Sequence, residues 1–182
     1  MKNVGLENIQ EAQEFNKLQP GGYICVINKV VDKSDKEYLE VYYDIAVGEN
    51  KNHFFNLYSQ FGNWPNSGIM RRSYKQTALS FFKSFTTAVE KSNAGYKFDY
   101  QEQKLVKKVF GAVLAEEEYE NQKGEIKTRI YVAQVRSVDS IKNGDFKVPE
   151  LKKYTSSPKA ASSFDDMPDI FTPVGDNDDL PF

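Results

Sequence analysis

Apolar runs near the start of the chain predict three β-strands. Residues 23–31 form an apolar run that follows two glycines, and residues 53–58 form a shorter run before a loop rich in Gly, Asn and Pro. Between these runs, residues 38–47 alternate between apolar and polar positions. Because strand side chains alternate between faces, the two faces of this strand should carry Leu39, Val41, Tyr43 and Ile45 on one side and Glu40, Tyr42 and Asp44 on the other.

The pattern changes to a helical period over residues 71–91. Apolar side chains recur there at spacings of three and four residues, which predicts one buried helical stripe. Gly95 follows and can take the left-handed conformation that ends many helices. The predicted stripe consists of Tyr74, Ala78, Phe81, Phe85 and Val89.

Extended segments return after this helix. Residues 105–118 read as a strand in which Gly111 predicts a bulge or bend, and residues 125–138 return as its hairpin partner after a turn at 121–124. The following segment, up to residue 154, is expected to be an ordered extension that lies on the domain. Three strands, one helix and two strands predict a mainly β domain, a five-stranded Greek-key barrel of the OB type, with a different helix-on-sheet topology as the alternative.

Charge separates this domain, residues 1–154, from the end of the chain. The domain carries 23 Lys and Arg against 20 Asp and Glu, whereas residues 155–182 carry 1 against 6. These last residues combine Ser, Pro, Ala and Asp without a helical or strand period, so they are predicted to be a disordered acidic tail. A mildly basic body with an acidic tail is a pattern that indicates nucleic-acid binding.

Few residues are available for catalysis. The chain has one Cys, Cys25, which lies in an apolar run, and one His, His53, so it lacks the pairs for a disulfide, a zinc site or a Cys-His catalytic arrangement. It contains no P-loop, and the acidic run at residues 116–120 is expected to be a solvated strand end rather than a magnesium site. We therefore predict no enzyme activity, metal or cofactor. No apolar run approaches the length of a membrane span or a signal peptide, which predicts a protein that stays inside the cell.

Aromatic side chains on the predicted outer face offer a binding surface instead. Tyr42, Phe54 and Tyr58 fall on the side of the first three strands that normally carries polar residues. Exposed rings can stack on unpaired bases of any sequence. If the strand register slips by one residue, Tyr42 and Phe54 become core residues instead. Trp64, in the loop that follows, is either a further stacking residue or a cap on the barrel.

Cations around these rings are candidate phosphate contacts. They lie near the loop after the first strand, at the predicted start of the helix and on the last hairpin. OB barrels bind oligonucleotides with the loop after the first strand and the loop between the last two strands. The predicted contacts are Lys29, Lys33, Lys36, Arg71, Arg72, Lys107, Lys123, Lys127 and Arg129, with Lys75 and Lys108 beside them.

The last residues of the tail form a separate candidate site. The chain ends in acids, an aliphatic residue, a proline and an aromatic ring, which suits a partner pocket with an apolar floor and a basic rim. A purely solubilising tail gains nothing from a terminal exposed ring, although solubilisation is the alternative. The residues of this tip are Asp178, Asp179, Leu180, Pro181 and Phe182.

Both the end of the chain and the domain before it resemble known single-stranded DNA-binding proteins. The ending DNDDLPF looks like the tip of bacterial single-stranded DNA-binding proteins, and QPGGY, LVKKVFGAVLAEEEY and GDFKVP are similar to segments of such proteins from phages and mobile elements of Gram-positive bacteria. The resemblance implies an OB fold that coats single-stranded DNA during replication, recombination and repair in the bacterial cytoplasm or nucleoid. It also implies that the tip recruits partner proteins. The residues leave open an RNA-binding OB protein, a protein-interaction module and self-association.

Overall fold

The computed structural model describes residues 17–155, which form a five-stranded antiparallel sheet with three α-helices. The sheet order is β3-β2-β1-β4-β5, and within residues 17–155 the two edge strands β3 and β5 do not pair, so the sheet is not closed. The strands are β1 (Gly21–Lys33), β2 (Tyr38–Ile45), β3 (Ile69–Ser73), β4 (Val109–Glu120) and β5 (Ile126–Arg136), and the helices are α1 (His53–Phe61), α2 (Leu79–Ser92) and α3 (Val138–Lys142). The predicted mainly β class and the count of five strands are confirmed.

The inner face of the sheet holds the core. The predicted inward face of β2 is confirmed, because Leu39, Val41, Tyr43 and Ile45 all belong to the hydrophobic core cluster. Phe110 of β4 lies between Tyr43 and Phe85 of α2, with ring centroids 5.9 Å and 6.2 Å away. Cys25 is also fully buried on this face. The thiol therefore acts as a small apolar core residue.

The predicted third strand at residues 53–58 is wrong, because these residues form α1. Asp44 of β2 explains the helix. Its buried carboxylate accepts hydrogen bonds from the backbone N–H groups of Phe54 and Phe55, both at 2.9 Å. These are N–H groups of the first helical turn, which have no partner within the helix, and a nearby anion also suits the helix dipole. A side chain of the preceding strand therefore holds the start of α1, and the third strand forms only at Ile69–Ser73.

The helix predicted over residues 71–91 corresponds to α2, but its predicted start is wrong. Arg71 and Arg72 belong to β3, and α2 begins only at Leu79, after a 3-10 turn at Gln76–Ala78. Phe81 of the predicted stripe is 55% exposed. Phe82 packs against the core in its place. Of the other predicted positions, Ala78, Phe85 and Val89 are buried, whereas Tyr74 precedes the helix and packs partly buried against the core.

Gly111 does not form the predicted bulge in β4, since the irregular pairing lies between Val113 and Leu114. Its role is close packing against the segment that follows β5. A Cβ at position 111 would lie 2.4 Å from Ile141 Cγ1 and 2.8 Å from the Ser137 carbonyl oxygen. Only glycine allows α3 to approach β4 this closely.

We expect Gly111→Ala to lower the free energy of unfolding by about 1 to 3 kcal/mol, because the added methyl group overpacks this contact. Urea unfolding measures the effect. Gly21→Ala is a matched control in the same sheet, since the nearest atom to its added Cβ lies at 3.6 Å. Equal stability of the two variants would contradict the close-packing role of Gly111.

The chain after α3 lies along the sheet, as predicted. The Phe146 ring covers Gly22, and Lys152 forms a parallel bridge with Glu117 of β4. Glu118 donates its backbone N–H to the Lys152 carbonyl oxygen at 2.8 Å. The predicted tail, residues 155–182, lies outside the described residues except for Thr155. In the described range of 17–155, every helix is too short or too polar to span a bilayer.

Candidate nucleic-acid interface

The outer faces of β1, β2 and β3 form one surface. Residues that pair directly across antiparallel strands project to the same side. Lys29 pairs with Tyr42, which pairs with Ile69 on its other side, and Glu40 pairs with Arg71. Lys33 pairs with Tyr38, which lies two residues from Glu40 on β2. The predicted residues on this surface are therefore Lys29, Lys33, Tyr42 and Arg71.

A β-bulge in β1 places Lys29 on this surface. The pairing shifts between Ile27 and Lys29, so that Asn28 is an extra residue in β1. Without that shift, Lys29 would alternate onto the inner face opposite Val41. The bulge brings its ammonium group to 5.2 Å from the centroid of the Tyr42 ring, within the range of a cation-π contact.

Four aromatic rings lie next to one another, starting with Tyr42. We call them the ring row: Tyr42, Trp64, Tyr58 and Phe55. Successive centroids are 6.4 Å apart from Tyr42 to Trp64, 5.8 Å from Trp64 to Tyr58 and 6.4 Å from Tyr58 to Phe55. Tyr58 is 43% exposed and Phe55 is 52% exposed, whereas the other two rings are half-buried. The row thus has an anchored end on the sheet and an open end on α1.

Trp64 connects the helix to the sheet. Its Nε1 donates a hydrogen bond to the Gly68 carbonyl oxygen at 3.0 Å. A Cβ at Gly68 would lie 2.6 Å from Trp64 Nε1 and 2.8 Å from Phe54 Cγ, so the glycine makes room for both rings. Tyr43 donates its hydroxyl to the Ser67 carbonyl oxygen at 2.6 Å and fixes the same loop to the core. The indole is consequently held in a defined orientation.

The strand pattern predicted Phe54 on the outer face, and this placement is wrong. It is fully buried and packs edge-on against Tyr43 at 5.3 Å, where it anchors α1. Phe55 joins the exposed rings instead, and the sequence interpretation missed it because a strand period turns Phe55 inward. A helical period would have paired Phe55 with Tyr58, three residues further on.

A carboxylate lies within this basic and aromatic surface. Arg71 Nη2 lies 3.8 Å from Glu40 Oε1, and the Tyr42 hydroxyl donates to Glu40 Oε2 at 3.4 Å. Burial, followed by the Glu40 charge, raises the pKa of Tyr42 above its usual value. The Arg71 guanidinium also lies 5.3 Å from the Tyr38 ring centroid. Arg71 is thus engaged with neighbouring side chains on the sheet.

Arg72 faces the opposite way from Arg71, because adjacent strand residues alternate. It pairs with inward-facing Leu39, and its guanidinium lies 6.0 Å from the centroid of the Phe85 ring. Burial lowers the pKa of Arg72 to about 10, so it remains charged at neutral pH. The structure therefore separates Arg72 from the outer-face residues with which the sequence grouped it.

The other predicted cations lie on loops and on the last hairpin. Lys36 is exposed in the turn between β1 and β2, Lys107 is exposed before β4, and Lys123 lies in the turn between β4 and β5. Lys127 lies 3.8 Å from Glu125, and Arg129 lies 2.8 Å from Glu117. Arg129 is therefore paired within the hairpin, whereas the Lys127 and Glu125 side chains are both exposed. Of the two neighbouring cations, Lys75 follows β3 and Lys108 lies over the Tyr96 ring.

Two further predictions concern metals and partner binding. No group of three or more His, Cys, Asp or Glu residues is arranged to hold a metal ion among residues 17–155. The partner-binding residues Asp178, Asp179, Leu180, Pro181 and Phe182 lie outside the described residues.

Comparison with known proteins adds no assignment. No protein-family model matches this chain, and no curated protein is significantly similar to it. The function is therefore inferred from the geometry and charge of the outer face.

Proposed function

We propose that this protein binds single-stranded DNA without sequence preference through the ring row and the lysines beside it. The observation that carries this proposal is the row itself: Phe55, Tyr58, Trp64 and Tyr42 follow one another at 5.8 to 6.4 Å, and Lys29 lies at the sheet end. Each base that stacks on such a ring contributes about 1 to 3 kcal/mol, whatever its identity, because every base has a π-face.

The lysines on this surface supply the contacts to the phosphate backbone. Lys29 and Lys33 share the outer face of β1, and Lys36 follows in the adjoining turn. Neutralising a phosphate of a single strand releases a counterion, so the logarithm of the binding constant falls by about 0.7 per contact for each tenfold rise in salt. Three such contacts predict a log-log slope of about −2.

The order of elements supports an OB-type Greek key as the scaffold for this site. β1 pairs with both β2 and β4, α2 connects β3 to β4, and the turn at Asn66–Gly68 lies close to β5. We propose that the β3 and β5 edges face one another, as in a partly open five-stranded barrel. Such barrels bind oligonucleotides on the face that includes β2 and β3.

The acidic tip has the second role in this proposal. Asp178, Asp179, Leu180, Pro181 and Phe182 combine a terminal ring with negative charge, which suits an apolar pocket with a basic rim on a partner protein. We infer that the tip recruits replication, recombination and repair proteins to the coated strand, in a bacterial or phage-infected cell.

Titration with oligo-dT tests the DNA-binding proposal. We expect oligo-dT to quench the fluorescence of Trp64, the sole tryptophan, until the site saturates, and to bind more tightly than duplex DNA of equal length. The affinity should fall with salt at the slope given above. Absence of quenching and binding would reject the proposal in favour of a protein-interaction surface, and stronger binding of matched RNA would favour an RNA-binding protein.

A further inference from the structure

Glu40 is an unusual residue for a surface that binds phosphates. It is 9% exposed and lies on the outer face of β2 between Tyr38 and Tyr42. Across the strands its direct neighbours are Val31 on β1 and Arg71 on β3. A carboxylate repels phosphate groups, so a role in backbone binding does not account for it.

The described contacts of this carboxylate are long. The Tyr42 hydroxyl lies 3.4 Å from Oε2 and Arg71 Nη2 lies 3.8 Å from Oε1, whereas well-formed hydrogen bonds to oxygen measure about 2.5 to 3.2 Å. A carboxylate can accept about four hydrogen bonds, and a largely buried one is costly unless its oxygens are well bonded. Glu40 therefore has capacity for a further donor beside the Tyr42 ring.

We propose that Glu40 accepts a hydrogen bond from the amino group of the base stacked on Tyr42, and that the protein consequently prefers cytosine to uracil or thymine at this position. The proposal rests on the proposed single-stranded DNA binding. Cytosine presents an N4 amino donor at the place where uracil and thymine present the O4 acceptor. An O4 oxygen would face the Glu40 carboxylate unfavourably, whereas the amino group would satisfy it.

The surrounding charges orient the strand in the required sense. Lys29 and Lys33 lie on β1, to one side of Tyr42, and attract the phosphates. Glu40 lies two residues from Tyr42 on β2 itself, beside Arg71 of β3, and its carboxylate would disfavour a phosphate next to it. A modest base preference at one position is thus added to stacking that tolerates any sequence.

Binding of oligo-dC and oligo-dU of equal length tests this proposal at neutral pH and constant salt. These probes lack the thymine methyl group, so they isolate the exchange of an amino group for a carbonyl. We expect the wild-type protein to bind oligo-dC about fivefold more tightly than oligo-dU. Glu40→Gln should remove most of this ratio, because an amide can donate to O4 as readily as it accepts from N4.

Glu117→Gln is the matched control, since Glu117 is also a buried carboxylate beside an arginine, Arg129, but lies on the last hairpin. It should leave the ratio unchanged. Equal affinity of the wild-type protein for both probes, or a ratio that persists in Glu40→Gln, would overturn the role of Glu40 while oligo-dT binding still stands. If Glu40→Gln does not fold, the wild-type ratio decides. Failure of every oligomer to bind would instead reject the proposed function itself.

Discussion

Asp44→Ala should lower the free energy of unfolding by about 3 kcal/mol or more. The carboxylate accepts hydrogen bonds from the backbone N–H groups of Ile45 at 2.8 Å and of Phe54 and Phe55 at 2.9 Å, and it is 1% exposed. Its removal leaves the buried N–H groups of Ile45 and Phe54 and the partly buried N–H group of Phe55 without this acceptor, and each buried orphan donor costs about 1 to 3 kcal/mol. α1 would also lose the negative charge at its N-terminus.

Urea unfolding followed by circular dichroism measures this loss. The free energy of unfolding of Asp44→Asn should lie between those of Asp44→Ala and the wild type, because the amide oxygen can still accept one of these hydrogen bonds. Asp35→Ala, at an exposed position in the turn between β1 and β2, is the control and should change stability by less than about 0.5 kcal/mol. Equal stability of Asp44→Ala and Asp35→Ala would show that Asp44 does not hold α1 in place.

The double variant Phe55→Ala/Tyr58→Ala should weaken oligo-dT binding by about 30-fold or more. Each lost stack costs at least about 1 kcal/mol, and two together cost about 2 to 6 kcal/mol. Because 52% of Phe55 and 43% of Tyr58 are exposed, their removal should leave the fold intact. Isothermal titration or fluorescence anisotropy measures the change in affinity.

An exposed Phe and Tyr elsewhere in the domain provide the matched control. Phe81 of α2 is 55% exposed and Tyr100 is 88% exposed, and both lie outside the ring row. Phe81→Ala/Tyr100→Ala removes the same two types of ring and should alter oligo-dT affinity by less than about twofold. If both double variants lose affinity equally, exposed aromatic surface in general, rather than the row, would account for binding.

Part of the candidate site follows from local patterns in the sequence. The alternation of residues 38–47 correctly predicts the core face of β2, since Leu39, Val41, Tyr43 and Ile45 all belong to the hydrophobic core. The sequence pattern also points to Tyr58 and Trp64, and the structure places Trp64 beside Tyr42 and Tyr58 beside Trp64. Lys29 belongs to the same surface. Which of these residues contact DNA stays a prediction.

The remaining differences come from contacts between different elements, which the period within one element does not show. Residues 53–58 fit a strand by their pattern alone, yet Asp44 caps their N–H groups and makes them a helix, which buries Phe54 and exposes Phe55. Likewise, Arg71 and Arg72 are equivalent in a sequence pattern, but the pairing of β3 with β2 turns them to opposite faces.

The sequence by itself determined the mainly β class, the inward face of β2 and the last hairpin, because side-chain period and turn residues are local properties. Only the tertiary structure decided that α1 precedes the third strand, that a bulge turns Lys29 towards Tyr42, and that Glu40 lies between Tyr42 and Arg71. These features depend on strand register and on one buried carboxylate. Both act through contacts between separate elements, which the side-chain period of a single element does not show.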